Sequence, residues 1–281
     1  MSVISGIGAV VHTAGTAEST VREWAIRLRG MPPPYAATNT NGAMNRDTGN
    51  VDWRGFYLGY GHTPSVFPGD SFAFEGVTDG TKGAYGTARC ERITITCHIE
   101  RGSQIEYRVD FAANGALALA ADVGGTPLTD GTAVNAFTSV GRKINLGGTT
   151  GTDDGTGVPL ARLWRLSVAR ALRPYVHTGT AGQVQRETGN LDVQWLYQVY
   201  VDSPADTAQI PTLQSTEMMK FYVTSSTFWE VKWGKIENVD PFGANREGQE
   251  DVGATISGGL VAYNGAAGAI YNPAKAAKWG T

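Results

Sequence analysis

The sequence predicts a mainly β protein: two tandem antiparallel β domains, each with at most a short helix. Three observations carry that prediction. Apolar residues recur with a period of two over long stretches. Turn residues punctuate the chain throughout, with 37 glycines and 12 prolines, about one residue in six. The second half of the 281 residues also answers the first in register.

The first strand is centred on Trp24, where Trp24, Ile26 and Leu28 alternate with Glu23, Arg27 and Arg29. Its counterpart places Trp164, Leu166 and Val168 against Arg165 and Ser167. The clearest element follows Cys90. Ile93, Ile95, Cys97 and Ile99 share one face, while Thr94, Thr96, His98 and Glu100 share the other. Arg101-Gly102-Ser103 turns the chain, and Ile105, Tyr107, Val109 and Phe111 resume the apolar face opposite Gln104, Glu106, Arg108 and Asp110. This is a long hairpin with one dry and one wet face. Val193, Trp195, Tyr197, Val199 and Val201 mark another alternating strand. The helical signal is thin: Pro211 to Lys220 is expected to make about two turns against a sheet edge. Cys90 and Cys97 lie seven residues apart. An odd separation on one strand places them on opposite faces, which argues against a disulfide between them. They read as reduced thiols of a protein made in a cytoplasm.

An internal repeat organises these elements. At an offset of 140 residues, positions 22 to 64 contain 15 identities over 43 positions without a gap. Composition alone would give about three. The identities include Trp24 with Trp164, Pro34-Tyr35 with Pro174-Tyr175, and Asp52 with Asp192. Arg46-Asp-Thr-Gly-Asn50 meets Arg186-Glu-Thr-Gly-Asn190. Nearer the end the offset becomes 144, pairing Gly115 with Gly259. Units this long each bury their own core, unlike the short repeats of solenoids. The expected division is a first domain at 1–125, a linker at 126–140, and a second domain with a C-terminal arm at 141–281.

Composition removes several functions. Charge is nearly balanced, with 23 Lys and Arg against 26 Asp and Glu, so no basic groove grips phosphates. No apolar run approaches a membrane-spanning length, and the opening residues do not read as a signal peptide. The four histidines are scattered, without HExxH or a second cysteine pair, so no metal site is expected. GIGAVV near the start lacks the third glycine and the preceding strand of a dinucleotide loop, and GGTTGTDDGTG lacks a phosphate-loop lysine. Asp153 and Asp154 read as solvated loop acids. There is no GxSxG elbow, and His98 with Glu100 is explained by the hairpin's wet face. The expectation is therefore a protein that is not an enzyme, without cofactor or metal.

The ordered segments resemble the tail tube proteins of tailed bacteriophages. The resemblance runs through SGIGAVV, VREWAIRLR, NVDWRGFYLGY, FPGD and IEYRVDFAANGAL, in that order, across Ser5 to Leu117. It returns more loosely across Ile144 to Leu260, where WGKIENVDPFGAN lacks clean alternation. The resemblance implies two tail-tube-like β-sandwich or barrel domains, each with at most a short flanking helix. It also implies a virion protein assembled in the host cytoplasm, whose rings stack into a tube that conducts double-stranded DNA. Six domains per ring would come from three chains. Implied partners are the chain itself and other tail components (tape measure, terminator and distal tail proteins), with no membrane binding. DNA would pass without specific binding. Under this reading Thr94, Thr96, His98, Glu100, Gln104, Glu106, Arg108 and Asp110 are lumen candidates, with a charge near −2. The matched loops supply candidates for ring stacking: Asn41, Asn45, Arg46, Asp47, Asn50, Gln185, Arg186, Glu187 and Asn190. The alternatives are another tail ring component, such as a terminator or distal tail protein, and a carbohydrate-binding, adhesin-like β protein. Trp24 and Trp164, on apolar faces, speak against the latter.

Overall fold

The computed structural model of the chain describes residues 10–13, 16–17, 21–31, 34–35, 44–46, 49–60, 64, 66–77, 82–99, 104–122, 144–147, 156–158, 161–180, 182–200, 211, 213–214, 216–222, 228–240, 253–260, 270–272 and 277–279. Strands account for most of them. The first series is β1 (Val10–Thr13), β2 (Thr16–Ala17), β3 (Val21–Met31), β4 (Pro34–Tyr35), β5 (Asn45–Arg46), β6 (Asn50–Tyr60), β7 (Ser71–Val77), β8 (Lys82–His98) and β9 (Gln104–Asp122). The second is β10 (Ile144–Gly147), β11 (Thr156–Gly157), β12 (Ala161–Tyr175), β13 (Gln185–Tyr200), β14 (Thr216–Tyr222), β15 (Phe228–Asp240) and β16 (Gly253–Leu260). A terminal hairpin of β17 (Ile270–Asn272) and β18 (Ala277–Trp279) packs its first strand on β15. A 3-10 turn, Thr178–Thr180, joins β12 to β13.

Among the described residues the named strands pair antiparallel, as suits a mainly β chain with short turns and alternating faces, and one isolated parallel bridge joins Val51 to Gln183. In the first series the hydrogen-bonded order is β2-β1-β7-β8-β9-β6-β3. In the second it is β11-β10-β14-β15-β16-β13-β12, the same order position for position. Register agrees as well. Trp24 faces Tyr57 and Arg29 faces Asp52; at an offset of 140, Trp164 faces Tyr197 and Ala169 faces Asp192. Both pairs carry an irregularity at the same place, between Val21 and Glu23 and between Ala161 and Leu163. Towards the end the structural offset reaches 147, not 144: Ala113 lies opposite Ala88, and Leu260 opposite Gly234. Gly259 thus takes the place of Ala112 rather than Gly115.

Neither series is flat. β3 and β7 are four strand spacings apart in the hydrogen-bonded order, about 19 Å in a planar sheet. Yet the Trp24 and Phe74 rings meet at 5.9 Å between centroids. In the second series Trp164 of β12 and Phe221 of β14, equally far apart in order, meet at 5.4 Å. Each sheet therefore rolls over itself and buries its apolar face. Trp53, Phe74 and Phe111 fill the first interior, and Trp164, Phe221 and Trp229 fill the second.

The two series join through β8. Its first part, Gly83 to Arg89, pairs β7. Its last part, Arg92 to His98, pairs β12 along the same edge. The changeover coincides with a bulge between Cys90 and Arg92. Gly69 sits at this fork with φ +99°, where a Cβ would approach the Arg170 Cδ to 2.8 Å, so both conformation and space select glycine.

Two expectations are corrected. The segment from Pro211 to Lys220 is not helical: Leu213 and Gln214 turn, with Gln214 at φ 65°, and β14 begins at Thr216. β14 is paired on both edges, by β10 and β15, and Met219 to Tyr222 are buried, a run that hides the period of two. The bulge also reverses the phase of β8, so Cys90 and Cys97 both point into the core. What separates the thiols is about 20 Å of strand, not opposite faces.

Candidate functional site: the outer face of a continuous ribbon

Because β8 pairs β12, eight strands form one unbroken antiparallel ribbon in the order β3-β6-β9-β8-β12-β13-β16-β15. Its inner rows are apolar: Tyr57, Val109, Ile93, Val168 and Val193 are neighbours across five strands, all fully buried. Its outer rows are mostly polar. One reads Tyr60, Glu106, Thr96, Arg165, Leu196 and Ser257 across successive strands. Alternation in single strands thus becomes one polar surface spanning both series.

The lumen candidates lie together on this surface. Thr94 faces Arg108, Thr96 faces Glu106, and His98 faces Gln104, with Arg92 beside Asp110. Thr94, Thr96, His98, Glu106, Arg108 and Asp110 are half-buried. Glu100 lies outside the described residues. Arg92 is the residue that sequence reading missed. Alternation alone puts it on the face of Thr94, Thr96 and His98, two residues before the first of the candidates, and its register opposite Asp110 agrees. Counting Arg92 with Arg108 against Glu100, Glu106 and Asp110 takes the summed charge of this face from −2 to −1.

Three of the arginines on and beside this face are engaged with neighbouring side chains. Arg108 Nε donates to Asp110 Oδ1 at 2.8 Å, and the guanidinium carbon sits 4.0 Å from the centroid of the Phe56 ring. Arg22 Nη1 donates to the Tyr60 hydroxyl at 3.2 Å and to Glu106 Oε1 at 3.3 Å. The Tyr60 hydrogen bond raises the Arg22 guanidinium above its ordinary value; desolvation opposes it, and the Glu106 charge adds to it. Arg54 lies 3.7 Å from Glu91. Guanidinium groups engaged in this way are poor anchors for a phosphate backbone.

The loop candidates part company. Asn41 and Asp47 lie outside the described residues, and Asn45 and Arg46 form β5. Asn50 is exposed opposite Met31, and Glu187 and Asn190 are exposed on β13. Gln185 Oε1 accepts from the Tyr175 hydroxyl at 2.9 Å. Arg186, expected at a ring-to-ring contact, is 1% exposed and bound within the chain. Its Nη2 donates to both Asp52 oxygens at 2.9 and 2.8 Å, and its Nη1 donates to the Ala113 carbonyl at 2.7 Å. Among the described residues no three His, Cys, Asp or Glu side chains gather as a metal site, and no helix is long and apolar enough to cross a membrane. The expected linker, 126–140, also lies outside the described residues.

No family model matches the chain, and no curated protein matches it. Among solved structures, one chain from the tail of an empty GTA particle, computed with helical refinement in C6 symmetry, aligns over 100% of its own length. It covers 43% of this chain at 14% identity and a TM-score of 0.33, a likeness too slight to decide anything here.

Proposed function

We propose that this chain is a structural, non-enzymatic tail-tube-type protein carrying two copies of one β unit, and that three chains close a ring with pseudo-sixfold symmetry. Rings of this kind would stack into a hollow virion tube that lets double-stranded DNA slide through. The observation that carries the reading is the β8–β12 junction: one unit already pairs with the other, and the same pairing can repeat between chains. The edge of β3 corresponding to the β8-bound edge of β12 has no strand partner among the described residues, nor does the edge of β15 over Asn238–Asp240. Such edges invite a further strand. Burial supports the same point. Trp164, Leu166 and Val168 on β12 are 0% exposed, whereas on β3 Trp24 and Ile26 are half-buried and Leu28 is 45% exposed.

Repeating the internal register fixes the external one. Arg92–Ala169, Ile93–Val168 and Thr94–Ser167 at β8–β12 become Asn238–Arg29, Val239–Leu28 and Asp240–Arg27 between chains. The last pair brings opposite charges together. The outer ribbon face, with charges of both signs interspersed with hydroxyls, would line the bore as a wet wall of small net charge. The same strands would serve a terminator or distal ring protein, which stops at one ring. Electron microscopy of the purified protein tests the proposal: hollow filaments built of threefold rings are expected. Single rings would favour the alternative tail components, and isolated monomers at all concentrations would overturn the reading.

A further inference from the structure

A second contact joins the two series, away from the β8–β12 edge. The arm at the end of β12 and the start of β13 reaches back onto β6. The Val51 N–H donates to the Gly182 carbonyl at 3.1 Å, and the Val184 N–H donates to the Val51 carbonyl at 3.3 Å. Val184 is 3% exposed there, and Arg186 beside it grips Asp52 and Ala113 as described above. The Arg186 N–H donates to Asn114 Oδ1 at 3.0 Å. The arm therefore places backbone, an apolar side chain and a charge on one target.

The first series owns the same arm and the second owns the same target. Pro34 faces Arg46 and Tyr35 faces Asn45 in β4–β5, just as Pro174 faces Arg186 and Tyr175 faces Gln185. Gly42, Met44 and Arg46 stand where Gly182, Val184 and Arg186 stand, and Leu191 and Asp192 stand where Val51 and Asp52 stand. Yet Met44 is 58% exposed where Val184 is covered. Asp192 is exposed on β13, its Oδ2 accepting from Gln194 Nε2 at 3.2 Å. Both halves of the contact are in the sequence, and among the described residues no backbone hydrogen bond joins Met44 to Leu191 as one joins Val184 to Val51.

We propose that the Met44–Arg46 arm of one chain clasps β13 of the neighbouring chain, with Arg46 on Asp192 and Met44 seated as Val184 is. The proposal rests on the ring reading above and assigns its lateral clasp to loops that the sequence alone offered as ring-stacking contacts. The partner is a second copy of this chain. The clasp repeats the internal contact except for the Asn114 amide, since the sequence has Val261 at the corresponding place.

Charge reversal tests it. Asp192→Arg and Arg46→Asp should each raise the concentration needed for assembly by about tenfold or more. The unassembled variants should keep the wild-type melting temperature, and the R46D/D192R double variant should restore assembly. Met44→Lys, at an exposed site, should impair assembly without reversing any charge pair. Sedimentation of the arrested single variants should show monomers. Arrest as free trimeric rings would overturn the clasp in favour of a stacking contact, and so would a D192R chain that assembles like wild type. A double variant no better than the singles would overturn the direct Arg46–Asp192 pairing. Wild-type protein that never forms rings would overturn the ring reading itself, and the clasp with it.

Discussion

At single positions the two units solve the same packing problem in opposite ways. Gly55 on β6 lies opposite Phe111 on β9, whereas at the corresponding place Trp195 on β13 lies opposite Gly258 on β16. A Cβ at Gly55 would come within 2.6 Å of the Phe111 ring and of the Ala25 carbonyl. A Cβ at Gly258 would come within 2.5 Å of Trp195 and would overlap the Lys235 carbonyl oxygen. One large ring and one glycine fill the space in each unit, with the strands exchanged. Gly55→Ala and Gly258→Ala are therefore each expected to destabilise the chain by about 1–3 kcal/mol, as overpacking does. Thermal or denaturant melts would read this. Arg186 makes a second sharp case, since its side chain is wholly buried while that of Asp52 remains 17% exposed. Removing one member of a buried pair strands the other, so Arg186→Ala should cost about 3 kcal/mol in the same melts. Arg22 behaves differently. Its pKa shift is upward, so its contribution is complete at neutral pH and is lost only as pH rises past the ordinary arginine range.

For strands, the question is which edges are finished. β3 carries core-type residues with, among the described residues, no covering strand of the kind β12 has, and Leu28 is the most exposed of them. A lysine there meets solvent in the single chain but would be buried between chains. Leu28→Lys should leave the melting of the monomer within about 0.5 kcal/mol, as surface changes usually do, while abolishing ring formation in sedimentation and micrographs. Unimpaired assembly of this variant would remove β3 from the interface. The alternation that names β3, β8, β9 and β13 was plain in the residues, because each has one dry and one wet face. What escaped reading has physical causes. The bulge after Cys90 turns Cys90 inward, and bulges obey pairing geometry rather than local hydrophobicity. β14 looked helical because PTLQSTEMMK contains good helix formers, but burial on both faces overrode propensity. The outer face was legible hairpin by hairpin. Its extension through Arg165, Ser167 and Leu196 was not, because it depends on the β8–β12 pairing, which no local pattern announces.

For the whole molecule, the ribbon sets the size of the proposed bore. Eight strands per chain become about 24 in a three-chain ring, and at about 4.8 Å per strand these span a circumference of roughly 115 Å. The backbone diameter is then at least roughly 37 Å, and larger once the strands tilt as closed barrels require. That leaves room for a hydrated duplex between side chains. Such a wall works by failing to bind, since each phosphate contact would add a salt-dependent grip and stop the sliding. Thr94, Thr96 and Ser167 sit side by side on the outer face, near the β8–β12 seam and away from both open edges. Replacing all three by lysine should therefore leave tubes able to assemble while turning a slippery wall into an adhesive one. Assembled variant tubes are expected to retain double-stranded DNA at low salt. They should release it with a log–log slope of about −0.9 for each phosphate neutralised, whereas wild-type tubes retain none under the same conditions. Co-sedimentation across a salt series measures both. Variant tubes that assemble normally yet hold no DNA at any salt would mean that this face does not line the bore.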